Sequence, residues 1–140
     1  MQLDPRGVRF AASVTTVVLA LVLITGNGWL VLAQAVVFAL PALFGMRLSP
    51  YGALFRVAVR PRLGPPRETE DAAPVRFSQT VGLVFTAVAA AGYLSGATAL
   101  GVVATAFALA AAFLNAAFGF CLGCEMYGLL TRFRTTRRVA

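Results

Sequence analysis

FAASVTTVVLALVLITGNGWLVLAQAVVFALPALF, residues 10–44, contains two long apolar runs separated by a Gly-Asn-Gly turn at residues 26–28. The first run covers residues 10–25 and the second covers residues 29–44, and neither contains a charged side chain. At ~1.5 Å per residue, a helix of this length nearly or fully spans a ~30 Å hydrocarbon core. The stretch therefore predicts a hairpin of two transmembrane helices.

A second apolar hairpin follows a polar stretch at residues 46–79. Its runs cover residues 80–94 and 99–120, with a short Ser-Gly-Ala-Thr break between them. The chain has 59% hydrophobic and 12% charged residues, whereas a soluble domain carries about 25% charged residues. These patterns predict an all-α membrane protein with four transmembrane helices, in which residues 1–140 form a single integral membrane domain surrounded by the lipid bilayer.

The basic residues, all of them arginines, predict the orientation in the membrane. They lie before the first apolar run, between the second and third runs, or after the fourth run: Arg6, Arg9, Arg47, Arg56, Arg60, Arg62, Arg67, Arg76, Arg132, Arg134, Arg137 and Arg138. The positive-inside rule then places both termini and the middle loop in the cytoplasm and the chain in the inner (plasma) membrane. This topology accounts for the net charge of +7, and nucleic-acid binding is not expected.

The first apolar run has one alternative interpretation, a secretory signal peptide. Ala33–Ala35 fits an Ala-x-Ala cleavage site, and arginines precede the run. The apolar character continues well past that site, however. A permanent helix is favoured because the run has an internal counterpart later in the chain, and an internal segment cannot be a signal peptide.

Two sequence blocks occur twice, in the same order. DPRGVRF at residues 4–10 matches DAAPVRF at residues 71–77, and each copy precedes a hairpin. FGMRLSPYGALFR at residues 44–56 matches FGFCLGCEMYGLLTR at residues 118–132, with a two-residue insertion, and each copy follows a hairpin. The blocks predict two parallel two-helix repeats related by an axis along the membrane normal.

The predicted repeats cover residues 4–62 and 71–134, with a cytoplasmic linker at residues 63–70. The wider stretch between the hairpins, residues 60–76, is rich in Pro, Gly and mixed charges. Because Pro and Gly stop helices, this stretch is expected to be a solvated loop.

Short interfacial helices are predicted after the second and fourth transmembrane helices. Ser49 followed by Pro50 is typical of a helix N-cap and first helical position, so an amphipathic helix is expected near residues 50–59 with Arg56 and Arg60 toward water. The aligned segment of the second repeat predicts another helix near residues 124–133. The alternative is that the fourth helix continues unbroken through residue 130.

The only two cysteines, Cys121 and Cys124, form a Cys-x-x-Cys pair at this second membrane boundary. In a reducing cytoplasm such a pair is typical of redox or metal chemistry, because structural disulfides do not persist there. Backbone N–H groups at a helix start favour a thiolate. We therefore expect Cys121 to be the more reactive thiol and Cys124 to resolve it. Arg47, which aligns with Cys121, is a candidate thiolate stabiliser, whereas Glu125 opposes the thiolate.

Metal binding by the dithiol has weaker support from the composition. The chain contains no His, which removes imidazole ligands and a His general base. Two thiolates make half of a tetrahedral site, so a metal would need a second chain or a soft ion such as Cu(I). No cofactor is expected, and enzyme activity, metal binding and homo-oligomerisation stay open. Incidental packing of two small side chains is the remaining alternative for the pair.

Four motifs, DPRxxRF, RPRLGPPxExED, PxRFSQ and GFCLGCxxYGLL, resemble an actinobacterial membrane family catalogued as a domain of unknown function, number four-three-nine-five. The resemblance covers almost the whole chain, and the last motif is its most specific part. Members of that family are four-helix membrane proteins whose genes often lie near thioredoxin-like and rhodanese-type sulfurtransferase genes. The resemblance implies a role in thiol or sulfur handling, with the family's cysteine pair at Cys121 and Cys124.

The leading functional prediction is a membrane-embedded thiol or sulfur relay. A cytosolic thioredoxin-like or rhodanese-type partner would exchange electrons or a persulfide with Cys121 and Cys124. One alternative is a transporter of a small sulfur compound that uses the dithiol as an inner-face capture site. It needs a polar path, for which the apolar runs offer threonines, Gln34 and Asn115. Another alternative is a structural or docking membrane subunit.

Overall fold

A computed structural model describes residues 2–3, 5–45, 48–63, 70–118 and 122–139, and most of these residues are helical. In chain order the helices are α1 (Pro5–Thr25), α2 (Gly28–Phe44), α3 (Pro50–Leu54), α4 (Arg60–Leu63), α5 (Ala72–Ser95), α6 (Thr98–Phe118) and α7 (Leu122–Val139), and a π-helical segment, Phe55–Val59, joins α3 to α4. The predicted all-α fold is confirmed. The described β-structure is one antiparallel pair of two-residue strands, β1 (Gln2–Leu3) and β2 (Glu70–Asp71).

Three of the described helices, α1, α5 and α6, are long and apolar enough to cross a membrane, each with at least 20 residues in its candidate span. The fourth predicted span, α2, is apolar but has 17 residues. At ~1.5 Å per residue, 17 residues reach somewhat less than a ~30 Å hydrocarbon core. The length and composition of α1, α5 and α6 are therefore compatible with a membrane protein.

Glycine and asparagine make the tight turn between α1 and α2. Gly26 has a φ of +66°, a left-handed conformation that favours glycine. Asn27 is the N-cap of α2, and its side-chain oxygen accepts hydrogen bonds from the backbone N–H groups of Trp29 and Leu30 at 3.0 and 3.3 Å. Gly96, with a φ of +92°, makes the corresponding turn between α5 and α6. Both hairpin turns are thus determined by local residue chemistry.

The most extensive helix contact joins the two hairpins, between α2 and α5. The α6 helix packs to nearly the same extent against α5 and against α1, whereas α1 and α2 share a much smaller contact. Close approach within the second hairpin depends on Gly92, because a Cβ atom there would lie 2.6 Å from the backbone nitrogen of Gly101. The buried apolar core draws on all four long helices: Leu19, Val22, Val31, Ala89, Ala90, Ala104 and Ala108.

Helix occupies both ends of the stretch at residues 60–76, so the loop prediction is wrong there. The α4 helix covers residues 60–63, and α5 starts at Ala72. Pro74 lies in the first turn of α5, where a missing N–H breaks no intrahelical hydrogen bond. Pro61 lies in α4, which directly continues the helical stretch that begins at Pro50. The prolines in this stretch therefore do not exclude helix.

Candidate functional site

The candidate site lies where α6 gives way to α7, at the predicted dithiol. The described part of α6 ends at Phe118, and α7 is described from Leu122. The predicted helix near residues 124–133 lies within α7. Residues 119–121 lie outside the described residues, so the choice between a separate helix and one helix unbroken through residue 130 stays a prediction. The α7 helix continues to Val139, six residues beyond the predicted end at residue 133.

Cys124 lies in the first turn of α7, where it is half-buried beside the exposed Glu125. Cys124 is disulfide-bonded. The other cysteine of the chain, Cys121, lies outside the described residues, as does Arg47. The predicted proximity of Arg47 to the dithiol and the greater reactivity of Cys121 therefore stay predictions.

The start of α7 is held against α5 by an aromatic contact. The ring of Tyr127 packs on that of Phe77, with centroids 5.9 Å apart and planes inclined by 49°. Cys124 and Tyr127 are three residues apart, so they lie on the same face of α7. The Tyr127–Phe77 contact therefore positions the helix turn that carries Cys124.

A cation from the first repeat block reaches the end of α6. The Arg9 guanidinium donates a hydrogen bond to the backbone carbonyl of Ala116 at 3.2 Å. Ala116 lies in the last described turn of α6, and the carbonyls at the C-terminal end of a helix carry partial negative charge. Arg9 thus places positive charge at the helix end from which the dithiol segment starts, which sequence reasoning did not predict.

Arg76 makes the matching contact in the other hairpin. Its Nε atom donates to the carbonyl of Ala42 at 3.1 Å, and its Nη2 atom donates to that of Leu43 at 3.3 Å. Arg9 and Arg76 are aligned in the first repeat block. Ala42 and Ala116 each lie two residues before an aligned phenylalanine of the second block. The block alignment was a signal that the two arginines share a role, but it did not identify their partners.

The segment equivalent to the dithiol turn in the first repeat forms the predicted capped helix. The Ser49 side chain accepts a hydrogen bond from the Gly52 N–H at 3.2 Å, and Pro50 occupies the first turn of α3. Phe55 is buried against the ring of Phe10, with centroids 5.9 Å apart. Arg56 is exposed, as predicted, whereas the side chain of Arg60 lies outside the description.

A buried polar chain connects α1, α2 and α3. The Tyr51 hydroxyl donates to the Gln34 side-chain oxygen at 2.6 Å, and the Gln34 amide donates to the Thr15 hydroxyl at 3.5 Å. Gln34 is 1% exposed and Thr15 is 4% exposed. Burial raises the pKa of Tyr51 above its ordinary value, because a low-dielectric environment disfavours the phenolate. Sequence reasoning named Gln34 and Thr15 as polar groups but did not connect them to Tyr51.

Other membrane threonines direct their hydroxyls to their own helices. Thr16 donates to the Ala12 carbonyl and Thr86 to the Gly82 carbonyl, each at 2.7 Å. The buried oxygens of Tyr93 and Thr105 have no hydrogen-bond partner within the described part of the chain. Buried polar side chains therefore form one short hydrogen-bonded chain near α3, of Thr15, Gln34 and Tyr51. The buried oxygens of Tyr93 and Thr105 are separate from it. No group of three or more potential metal-ligating side chains occurs among the residues that the structure describes.

Comparison with known proteins identifies one family. The family described as "Domain of unknown function (DUF4395)" matches residues 3–132, which is nearly the whole chain. No curated protein and no solved structure matches the chain.

Proposed function

Because this chain belongs to the family described as Domain of unknown function (DUF4395), which assigns no activity, we propose its function from its own residues: a membrane-embedded thiol or sulfur relay. Cys121 and Cys124 are its working groups. Its partner is a cytosolic thioredoxin-like or rhodanese-type protein. The single observation that carries the proposal is the disulfide-bonded Cys124 in the first turn of α7, directly after a membrane-length helix.

The proposed architecture has four transmembrane helices, α1, α2, α5 and α6, arranged as two parallel two-helix repeats. The matched hydrogen bonds of Arg9 and Arg76 support this arrangement, because each arginine reaches the end of the second helix of the other repeat. The aromatic contacts Phe10–Phe55 and Phe77–Tyr127 support it too, since each fastens the segment after a hairpin to the start of that hairpin.

The strand pair gives independent support for a pseudo-twofold axis. Leu3 pairs with Glu70, and Gln2 pairs with Asp71, in antiparallel register. Leu3 directly precedes the first copy of the DPRGVRF block, and Glu70 directly precedes the second copy. Antiparallel pairing between equivalent residues is what a twofold axis through that pair produces.

The dithiol is proposed to face the cytoplasm of a cell with an inner membrane. The arginines of α4 and α7 lie on the same side of the bundle as the starts of α1 and α5, if each hairpin crosses the membrane twice. At that position the dithiol would react directly with soluble cytoplasmic proteins, and the relay would need no polar path across the membrane.

In the redox form of the relay, the partner supplies or receives two electrons. A thiolate of a reduced partner attacks one sulfur of the Cys121–Cys124 disulfide, which forms a mixed disulfide and releases the other thiolate. The partner's second thiolate then attacks the mixed disulfide, so the partner leaves oxidised and the dithiol is reduced. In the reverse direction, Cys121 attacks the partner's disulfide and Cys124 resolves it.

In the sulfur-transfer form, the Cys121 thiolate attacks the outer sulfur of a partner persulfide. The partner's thiolate leaves, and Cys121 carries the persulfide. Attack by Cys124 on the inner sulfur would then form the disulfide and release hydrosulfide. Both forms need the same two sulfurs. The transport alternative has less support, because the described membrane threonines Thr16 and Thr86 turn their hydroxyls to their own helices.

Trapping of the partner tests the relay. A Cys124→Ser variant expressed in its own host should accumulate a mixed disulfide or persulfide on Cys121, because the resolving sulfur is missing. The matched Cys121→Ser variant should accumulate several-fold less. Mass spectrometry of the captured species would identify the partner. No capture by either variant, together with full in vivo activity of the double Ser variant, would contradict both thiol mechanisms and favour a structural subunit.

A further inference from the structure

Two hydroxyl groups inside the second hairpin are buried without a hydrogen bond. The side-chain oxygens of Tyr93 on α5 and Thr105 on α6 are inaccessible to solvent and have no partner in the part of the chain that the structure describes. An unpaired hydroxyl in an apolar interior costs free energy comparable to that of a lost hydrogen bond. A native fold that keeps two such groups in one hairpin indicates that something else bonds them.

The Tyr93 side chain packs between α2 and α6. A Cβ atom added to Gly28 of α2 would lie 2.9 Å from the Cβ atom of Tyr93, and one added to Gly101 of α6 would lie 2.8 Å from the Cγ and Cδ2 atoms of its ring. Tyr93 also packs against the buried apolar core of the bundle. The two glycines therefore make room for a ring that enters the bundle from α5.

The hydroxyl of Tyr93 is directed toward the turn of α6 that carries Thr105. Side chains of a helix lean toward the N-terminus of their own helix, and in α5 that direction leads away from the hairpin turn at Gly96. Thr105 lies four residues after Gly101, on the same face of α6 and also farther from the hairpin turn. Because the ring of Tyr93 packs on Gly101, the two hydroxyls lie at a similar level of the hairpin.

Thr105 differs in its hydrogen bonding from other threonines of the long helices. Thr16, Thr25 and Thr86 each donate to the carbonyl four residues earlier, at 2.7 Å. The Thr105 hydroxyl does not bond the corresponding carbonyl of Gly101, although Thr105 is 0% exposed. Its hydroxyl is therefore available to a ligand inside the bundle, and bulk water does not reach it.

We propose that one water molecule is bound inside the bundle, where it bridges the hydroxyls of Tyr93 and Thr105. A hydroxyl can donate one hydrogen bond and accept two, and a buried water bonds two to four polar groups. The core against which Tyr93 packs offers no charge to balance an ion, because its buried members are apolar: Leu19, Val22, Val31, Ala89, Ala90, Ala104 and Ala108. The ligand is therefore small and uncharged.

A double-mutant cycle in the full-length protein tests the bridge. Tyr93→Phe and Thr105→Val each remove one hydroxyl and nearly preserve the shape of the side chain. Each should raise the equilibrium constant for unfolding in detergent micelles about fivefold, the size of one net hydrogen bond. The double variant should raise it by much less than the product of the two single effects, because both hydroxyls bond the same water.

Thr86→Val is the matched control for Thr105→Val. Thr86 is also 0% exposed, but its hydroxyl donates to the carbonyl of Gly82 on its own helix. In combination with Tyr93→Phe, its effect on unfolding should multiply without coupling. Coupling as strong as that between Tyr93 and Thr105 would assign the effect to helix packing and would overturn the bridge.

Two other results of the cycle would also contradict the proposal. Single variants that are as stable as the wild type, or more stable, would mean that the hydroxyls are unpaired. Single effects that multiply fully in the double variant would mean that each hydroxyl has a partner of its own.

A crystal structure of the wild-type protein grown from a lipid phase gives a second test that needs no variant. It should show one water within about 3.2 Å of both hydroxyl oxygens. A direct hydrogen bond between the two hydroxyls, or the absence of water between them, would overturn the proposal. Neither residue belongs to the dithiol site, so these outcomes are independent of the relay.

Discussion

Arg9 and Arg76 have the same hydrogen-bonding role but different surroundings. Each donates to carbonyls in the last turn of a helix from the other hairpin, at distances between 3.1 and 3.3 Å. The helix that Arg9 reaches is followed by the dithiol, whereas the helix that Arg76 reaches is followed by Ser49 and Pro50. Substitution of Arg9 therefore tests the effect of this contact on the thiols, and the same substitution of Arg76 removes an equivalent contact from a helix that no thiol follows.

Replacing Arg9 by Gln should raise the pKa of the reduced dithiol, because a nearby positive charge favours the thiolate. We expect about threefold slower alkylation by iodoacetamide between pH 6 and 8, as expected for loss of one partly screened charge. Arg76→Gln is the control and should leave the alkylation rate unchanged, although it removes an equivalent helix-end contact. Equal slowing in both variants would mean that the effect is structural.

The repeat blocks mark Arg9 and Arg76 as equivalent, and this much could be predicted from the sequence. Their acceptors could not, because the packing of each hairpin's first helix against the other hairpin's second helix is a property of the assembled bundle. Alignment makes Arg47 equivalent to Cys121, but equivalence under a twofold axis is not proximity. Arg47 lies outside the described residues, so its proximity to the dithiol stays a prediction. The carbonyl that Arg9 contacts belongs to α6, the helix that precedes the dithiol segment.

At the scale of single elements, two polar contacts hold the N-terminal end of α3. Ser49 caps it, and Tyr51 joins it to the buried Gln34 on α2. The cap was predictable because Ser-Pro is a local signal of a helix start. The link to Gln34 was not, because those residues are 17 positions apart and meet only when α3 folds back on α2.

Tyr51→Phe should lower the free energy of unfolding at neutral pH by about 1–3 kcal/mol, because it leaves the buried oxygen of Gln34 without its donor. It should also weaken the loss of stability at alkaline pH. Since the folded-state pKa of Tyr51 is raised, wild-type stability from this group is full below the unfolded pKa of about 10 and falls as pH rises through the folded value.

The check is denaturant unfolding in detergent micelles from pH 7 to pH 11, with Tyr127→Phe as the matched control. That control keeps the ring that packs on Phe77 and should retain the wild-type pH dependence. A Tyr51→Phe variant whose stability declines above pH 10 as steeply as that of the wild type would assign the alkaline transition to other groups.

The observed starts of α1 and α5 could not be predicted from hydropathy alone. The apolar runs predicted the centres of α1 and α5, but both helices extend outward past their arginines. Hydropathy cannot detect this extension, since a helix that leaves the bilayer becomes polar without ending.

At the scale of the whole molecule, the arginine distribution predicts one topology that labelling can test. In a Cys121→Ser/Cys124→Ser background, Ala97→Cys lies in the exposed turn between α5 and α6. It should react with a membrane-impermeant maleimide added to intact cells. Thr131→Cys, on α7, should react only after the membrane is permeabilised. The reverse pattern would place the termini and the dithiol outside the cytoplasm.

The contact pattern of the bundle has a consequence for its synthesis. The main partner of α2 is α5 and that of α1 is α6, so the first hairpin leaves the ribosome before either of its main partners exists. In the proposed topology, the first hairpin remains in the membrane as a loosely associated pair until the second hairpin arrives. Assembly is then the docking of two inserted hairpins, and a chain divided between α4 and α5 is expected to yield two fragments that bind each other mainly through α2 and α5.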